Sequence, residues 1–254
     1  MNYYRLMNNT KFLKTLLLLC ILPIGLCVLL HSCKPDDNSL GVPDFKYDYV
    51  PYDSGKYVIY NVDSIYSYNS NFTKDTASYQ LMTIVGDTFY DLQNEINRRM
   101  WLYRRETSSD PWVFDRLWYI KRKAITFESI EDDLRFTKLV FPPNLSTEWN
   151  GNSYLPVDQD MYKDFNGWNY RYVHIDEPYT INGSTIDSSL TVEDVQDTTG
   201  VIINYRFKKE VYGKHIGLIS MDYSIRSRQI DLNKPWDESR WTGFVLRWRM
   251  TDHN

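Results

Sequence analysis

The feature that most constrains this chain is a period of two. Phe244, Leu246, Trp248 and Met250 alternate with Val245, Arg247 and Arg249, which gives the segment one apolar face. Successive side chains of a β-strand point to opposite faces of its sheet, so the spacing reads as a strand with one buried face. The same alternation sets Val201, Ile203, Tyr205 and Phe207 against Ile202, Asn204, Arg206 and Lys208. It sets Ile219, Met221, Tyr223 and Ile225 against Ser220, Asp222 and Ser224, and Leu134 and Phe136 against Arg135 and Thr137. Further strands are expected near 56–68, 78–92, 99–105, 113–121, 124–129, 170–175 and 190–195. The chain holds 8 Trp, 21 Tyr and 11 Phe, side chains that suit a pleated, half-buried surface. Strand spacing of about ten residues with turn residues between points to antiparallel hairpins. Only 91–100 and 158–165 leave room for a short helix.

The N-terminus follows different rules. Arg5, Lys11 and Lys14 precede an almost wholly apolar run, TLLLLCILPIGLCVLL, from Thr15 to Leu30. A basic start followed by such a run is the layout of a secretory signal. Spanning a hydrocarbon core takes about 20 apolar residues; this run has 16, interrupted by Pro23 and Gly25. It ends in Leu30-His31-Ser32-Cys33, which resembles the lipobox of lipoprotein signal peptidase. The resemblance implies cleavage between Ser32 and Cys33 and lipidation of Cys33 by a diacylglyceryl thioether and an N-acyl chain such as palmitate. Two or more chains, at about 0.8 kcal/mol per buried methylene, hold a protein on a membrane stably.

In that reading Cys20 and Cys27 leave with the leader and the sulfur of Cys33 carries lipid, so the mature chain has no thiol or disulfide. The 222 residues that remain of 254 must be held together by their core, and they suffice for one sizeable domain. The expected organisation is a signal peptide over 1–32, a lipidated cysteine and flexible tether over 33–51, and a single β-rich domain over 52–254. Losing three of 29 basic residues and none of 33 acidic ones leaves a balance of −7. That argues against a general nucleic-acid partner.

Chemistry-bearing motifs are few. The mature chain has three histidines, His174, His215 and His253, and lacks H-E-x-x-H, G-x-S-x-G, P-loop and dinucleotide fingerprints. No cofactor, metal or catalytic residue is assigned. Glu128, Glu131, Asp132 and Asp133 read as the solvated tip of a hairpin. Asp158, Asp160 and Asp164 have a calcium-loop flavour, but Lys163 and Asn169 stand where an EF-hand needs Gly and Glu. The basic stretch from Arg98 to Lys123, interleaved with Trp101, Tyr103, Trp112, Trp118 and Tyr119, is expected to pair with acidic neighbours over an aromatic core. Pro142–Trp168 breaks the strand pattern, separating two sheets or two lobes of one curved sheet.

The segments Gly55-Lys56-Tyr57-Val58-Ile59-Tyr60-Asn61-Val62-Asp63-Ser64-Ile65, Val211-Tyr212-Gly213-Lys214-His215-Ile216-Gly217-Leu218-Ile219 and Arg247-Trp248-Arg249-Met250-Thr251-Asp252-His253-Asn254 resemble a group of uncharacterised β-rich Bacteroidota outer-membrane lipoproteins. With the leader, the similarity spans most of the chain. Lys34-Pro35-Asp36-Asp37-Asn38 resembles the acidic export signal of such proteins, which implies an outer-membrane, surface-exposed position, with a periplasm-facing one as the alternative. The resemblance implies no activity. The fold expected is one antiparallel, strongly curved sheet or half-barrel, with a β-sandwich as the alternative. The leading functional expectation is a non-enzymatic accessory or binding module whose concave aromatic face takes a protein, glycan or apolar ligand. A carrier of lipid or another hydrophobic ligand is the second expectation, and it requires a deep, apolar-lined cavity. The third, a glycan-acting enzyme, requires two carboxylates facing each other across a cleft.

Overall fold

The computed structural model describes residues 44–68, 72–195, 204–227 and 240–254. Its first six strands are β1 (Tyr57–Tyr68), β2 (Thr73–Tyr90), β3 (Ile96–Arg105), β4 (Val113–Arg122), β5 (Thr126–Glu131) and β6 (Leu134–Val140). After a longer connection come β7 (Glu148–Trp149), β8 (Tyr170–Ile181), β9 (Ser184–Val195), β10 (Asn204–Gly213), β11 (Gly217–Ser227) and β12 (Thr242–His253). All twelve pair in one sheet, in the order β6-β5-β4-β3-β2-β1-β12-β11-β10-β9-β8-β7. Every pairing is antiparallel. The mainly β, single-sheet fold expected from the sequence is present, curved nearly into a barrel.

Topology explains the curvature. The chain enters at the centre of the sheet with β1, builds outward to β6, and then passes to the opposite edge before building back to β12. Residues 141–147 make that passage. Laid flat, eleven interstrand gaps of about 4.8 Å would separate the edges by about 53 Å. A connection of this length reaches at most about 29 Å when fully extended. The sheet must therefore curl until its edges approach.

They meet along a seam. The Thr137 amide donates to the Gly151 carbonyl at 2.8 Å, and the Trp149 indole donates to the Thr137 carbonyl at 3.0 Å. Tyr172 accepts from the Val140 amide and donates to the Val140 carbonyl. Gly151 is required here: a Cβ would lie 2.6 Å from the Tyr170 ring and 2.8 Å from the Thr137 oxygen. The break expected over 142–168 is thus the link between the two halves of one sheet.

Inward-facing residues follow the expected alternation on β12, where Phe244, Leu246 and Trp248 line the interior. On β11, Met221 and Tyr223 do the same, but a bulge opposite Val211 and Tyr212 makes Leu218 rather than Ile219 continue that face. The Asp132-Asp133 and Asn182-Gly183 turns have positive φ at both residues, the backbone of two-residue hairpin loops that twist with their strands.

Three expectations need correction. Residues 91–100 hold no helix: β3 already begins at Ile96, because Asp91 accepts from the Gln93 and Glu95 amides and closes a hairpin turn. Over 158–165 only the 3-10 turn Lys163–Phe165 forms, with Phe165 packed against Phe136 and Trp168. Residues 44–51, expected to be tether, belong to the compact unit that starts at Asp44. Tyr49 and Val50 are buried, and a 3-10 turn over Tyr47–Tyr49 lies across one end of the barrel. Tyr47 donates to the Ala124 carbonyl and Tyr52 to the Ile120 carbonyl, while the His215 amide donates to the Asp48 carbonyl. Composition marks this segment as linker, yet its aromatic side chains gain more by stoppering the barrel than by staying in water.

Candidate functional site: the barrel interior

Inside the curved sheet the side chains leave a cavity of about 330 Å³. Val58 and Tyr60 of β1, Leu81 and Val85 of β2, and Met100 and Leu102 of β3 form one apolar wall. Trp118 of β4 and Trp248 of β12 stack nearly parallel, ring centroids 6.1 Å apart, and Tyr60 tilts against Trp248 at 5.2 Å. Val50 and Pro51 of the stopper reach the cavity at one end. The exposed lining residues, Tyr66, Arg116 and Asp132, all sit at the other end, where β1 stops and β4 starts. That end is the mouth. Arg116 bridges Asp115 at 2.8 Å and Asp132 at 2.9 Å across it.

The wall nearest the seam is charged. On β10 the inward face carries Lys208 and Glu210, which are 5% and 2% exposed, while Tyr205 and Phe207 take the other face. Lys138 of β6 reaches across to Glu210 at 2.6 Å and to Glu131 at 3.0 Å. Lys208 lies 3.3 Å from the same Glu210 oxygen, and the Tyr212 hydroxyl donates to the other Glu210 oxygen at 2.7 Å. Burial alone would raise the Glu210 carboxyl; the Lys138 and Lys208 ammonium groups and the Tyr212 hydroxyl outweigh it and hold the carboxyl at about 2. Burial alone would lower Lys208, but Glu210 and Glu131 outweigh it and keep the ammonium above its usual range. Both members of the pair are ionised at neutral pH. The Lys208 ammonium also sits over the Tyr223 ring at 4.9 Å and the Phe136 ring at 5.5 Å.

The residues singled out in the sequence scatter. Ser32 and Cys33 lie outside the described residues. Glu128, Glu131, Asp132 and Asp133 do not share one role: Asp132 and Asp133 form the turn, Glu131 lines the cavity, and Glu128 is buried against Arg135 and Lys123. Asp158, Asp160 and Asp164 are exposed along one loop, and among the described residues no three potential ligands come close enough for a metal. His174 is exposed and pairs with Glu177 at 2.9 Å. His215 occupies the β10–β11 turn with a φ of 64°.

The basic stretch does pair with acidic and aromatic neighbours. Arg99 meets Asp87, Lys121 meets Asp91 and Glu95, Arg104 lies over Tyr79, and Arg105 over Trp112. What the sequence reading missed is the Lys138–Lys208–Glu210–Glu131 group. The signal was the pair of inward charges on β10, but its partner Lys138 is 70 residues away from Lys208 and meets it only once the sheet closes.

No family model, curated protein or solved structure matches the chain.

Proposed function

We propose that this protein is a non-enzymatic binding module that holds one small hydrophobic molecule inside its barrel, displayed outside the cytoplasm by lipid on Cys33. The observation that carries this reading is the cavity. Interiors are normally packed as densely as organic crystals. A space of about 330 Å³ that side chains leave inside the curved sheet, open at one mouth, departs from that density. A cavity of this size, with one apolar wall and one charged wall, has the dimensions of a small-molecule site. The aromatic face expected to be open and concave is the inner wall, so it suits a ligand that enters more than a protein or glycan that docks.

The glycan-acting alternative is less well supported. The lining carboxylates Asp115, Asp132 and Glu131 are each bound to Arg116 or Lys138, which leaves neither an acid nor a base unengaged.

Titrating the purified chain with the uncharged dye 1-N-phenylnaphthylamine tests the reading. Saturable one-to-one fluorescence enhancement is expected. Ser129→Trp places an indole on the cavity wall from β5 and should weaken the dye at least tenfold while circular dichroism stays β-rich. Failure of the dye to bind, or unchanged affinity in a folded Ser129→Trp variant, overturns the proposal.

A further inference from the structure

We propose that the cavity selects an uncharged molecule with an apolar body and a hydrogen-bond-accepting oxygen, seated against Lys208 and Lys138. The inference rests on the barrel being a ligand holder and specifies which ligand chemistry it takes.

Spare hydrogen-bonding capacity on the charged wall is donor capacity. Both Glu210 oxygens are engaged: one is shared by Lys138 and Lys208, and the other takes the Tyr212 hydroxyl. Glu210 does not itself line the cavity, whereas both lysines do. A lysine ammonium has three N–H donors and no acceptor. Among the described residues Lys138 spends donors on Glu210 and Glu131, and Lys208 has one carboxylate oxygen in reach. The rings of Tyr223 and Phe136 steady the remaining Lys208 charge but are weaker acceptors than an oxygen. Trp248 of β12, also in the lining, adds a covered indole N–H with no partner among the described residues. A ligand that matches this wall brings acceptors.

Charge decides which acceptor. The cavity is lined by Lys56, Arg116, Lys138 and Lys208 on one side of the count and Asp115, Glu131 and Asp132 on the other. Glu210 behind the wall makes the two signs equal. Asp194, opposite Lys208 in the β9–β10 register and buried, adds a further acidic group, so the wall holds no surplus positive charge for an anion. A carboxylate ligand would bring an uncompensated negative charge into a low-dielectric interior, which is costly. A cationic ligand would face two ammonium groups. A carbonyl, ether or hydroxyl oxygen takes up the idle N–H bonds and leaves the balance intact.

The test uses four probes of similar size displacing phenylnaphthylamine from the full mature chain at pH 7.5: 2-isopropylnaphthalene, 2-acetylnaphthalene, 2-naphthoate and 2-naphthylmethylammonium. With each affinity referred to the probe's own octanol–water partition, the ketone should exceed the hydrocarbon by roughly ten- to a hundredfold, the worth of one hydrogen bond to a charged donor. Both charged probes should bind more weakly than the ketone. Lys208→Met should reduce the ketone's advantage to about threefold or less while the hydrocarbon still binds. Should Lys208→Met fail to fold, the wild-type series decides alone. Equal ketone and hydrocarbon affinities, or tightest binding by naphthoate or the ammonium, would overturn the inference while leaving the cavity a binding site. Binding of none of the four would instead remove the ligand-holder reading beneath it.

Discussion

Replacing Glu210 with glutamine keeps the size of the side chain and removes the anion that Lys138 and Lys208 share. The Glu210 carboxyl stands at about 2 in the folded chain against an ordinary 4.5. At 1.36 kcal/mol per unit, that difference corresponds to about 3 kcal/mol of folding stability. Removing one partner of a buried ion pair costs a similar amount, about 3–5 kcal/mol. Glu210→Gln should therefore lower the melting temperature at pH 7 by about 6–12 °C, given about 2–4 °C per kcal/mol for a chain of this length.

The sign of the pH dependence follows from the lowered folded value. The unfolded chain binds the Glu210 proton more readily, so the contribution is complete above about pH 4.5 and disappears as pH falls towards 2. Wild type should lose its advantage over the variant across that window. Urea unfolding followed by tryptophan fluorescence at pH 7, 4.5, 3 and 2.5 reads both quantities. A loss below about 1 kcal/mol at pH 7, or stability curves that stay parallel down to pH 2.5, would refute the assignment of Glu210 as the ionised centre of the wall.

Two further outcomes probe the seam and the anchor. Gly151→Ala forces a methyl group onto the Tyr170 ring and the Thr137 carbonyl; it should cost about 1–3 kcal/mol. It should also speed hydrogen exchange at the Thr137 amide relative to Val62 in central β1, and unchanged Thr137 protection would contradict the proposed edge contact. Cys33→Ser should abolish acyl labelling and release the protein from membranes or leave it unprocessed; a cleaved, membrane-bound Cys33→Ser chain would rule out lipid attachment there.

Much of the sheet was legible in the residues. Eleven of the twelve described strands begin or end within a few positions of the segments expected from the sequence, because a side-chain period of two is a local property that each strand writes for itself. β7, only Glu148–Trp149, is too short to carry a period and exists because Trp149 finds Thr137 across the seam. The stopper was misread for a related reason. Phe45, Tyr47 and Tyr49 lie among Pro, Asp and Gly, and their burial depends on a barrel end built by strands from all along the chain.

The local pattern, then, determined that this chain is a β protein and which residues share a face. It did not determine which face turns inward on β10, where the charged residues went inside. That choice became favourable only when closure brought Lys138 beside Glu210, since a buried charge is tolerated only with its partner in place. The cavity is likewise a tertiary product. Its volume is the difference between the space a curled twelve-stranded sheet encloses and the side chains that enter it, and no segment of the sequence contains that difference by itself.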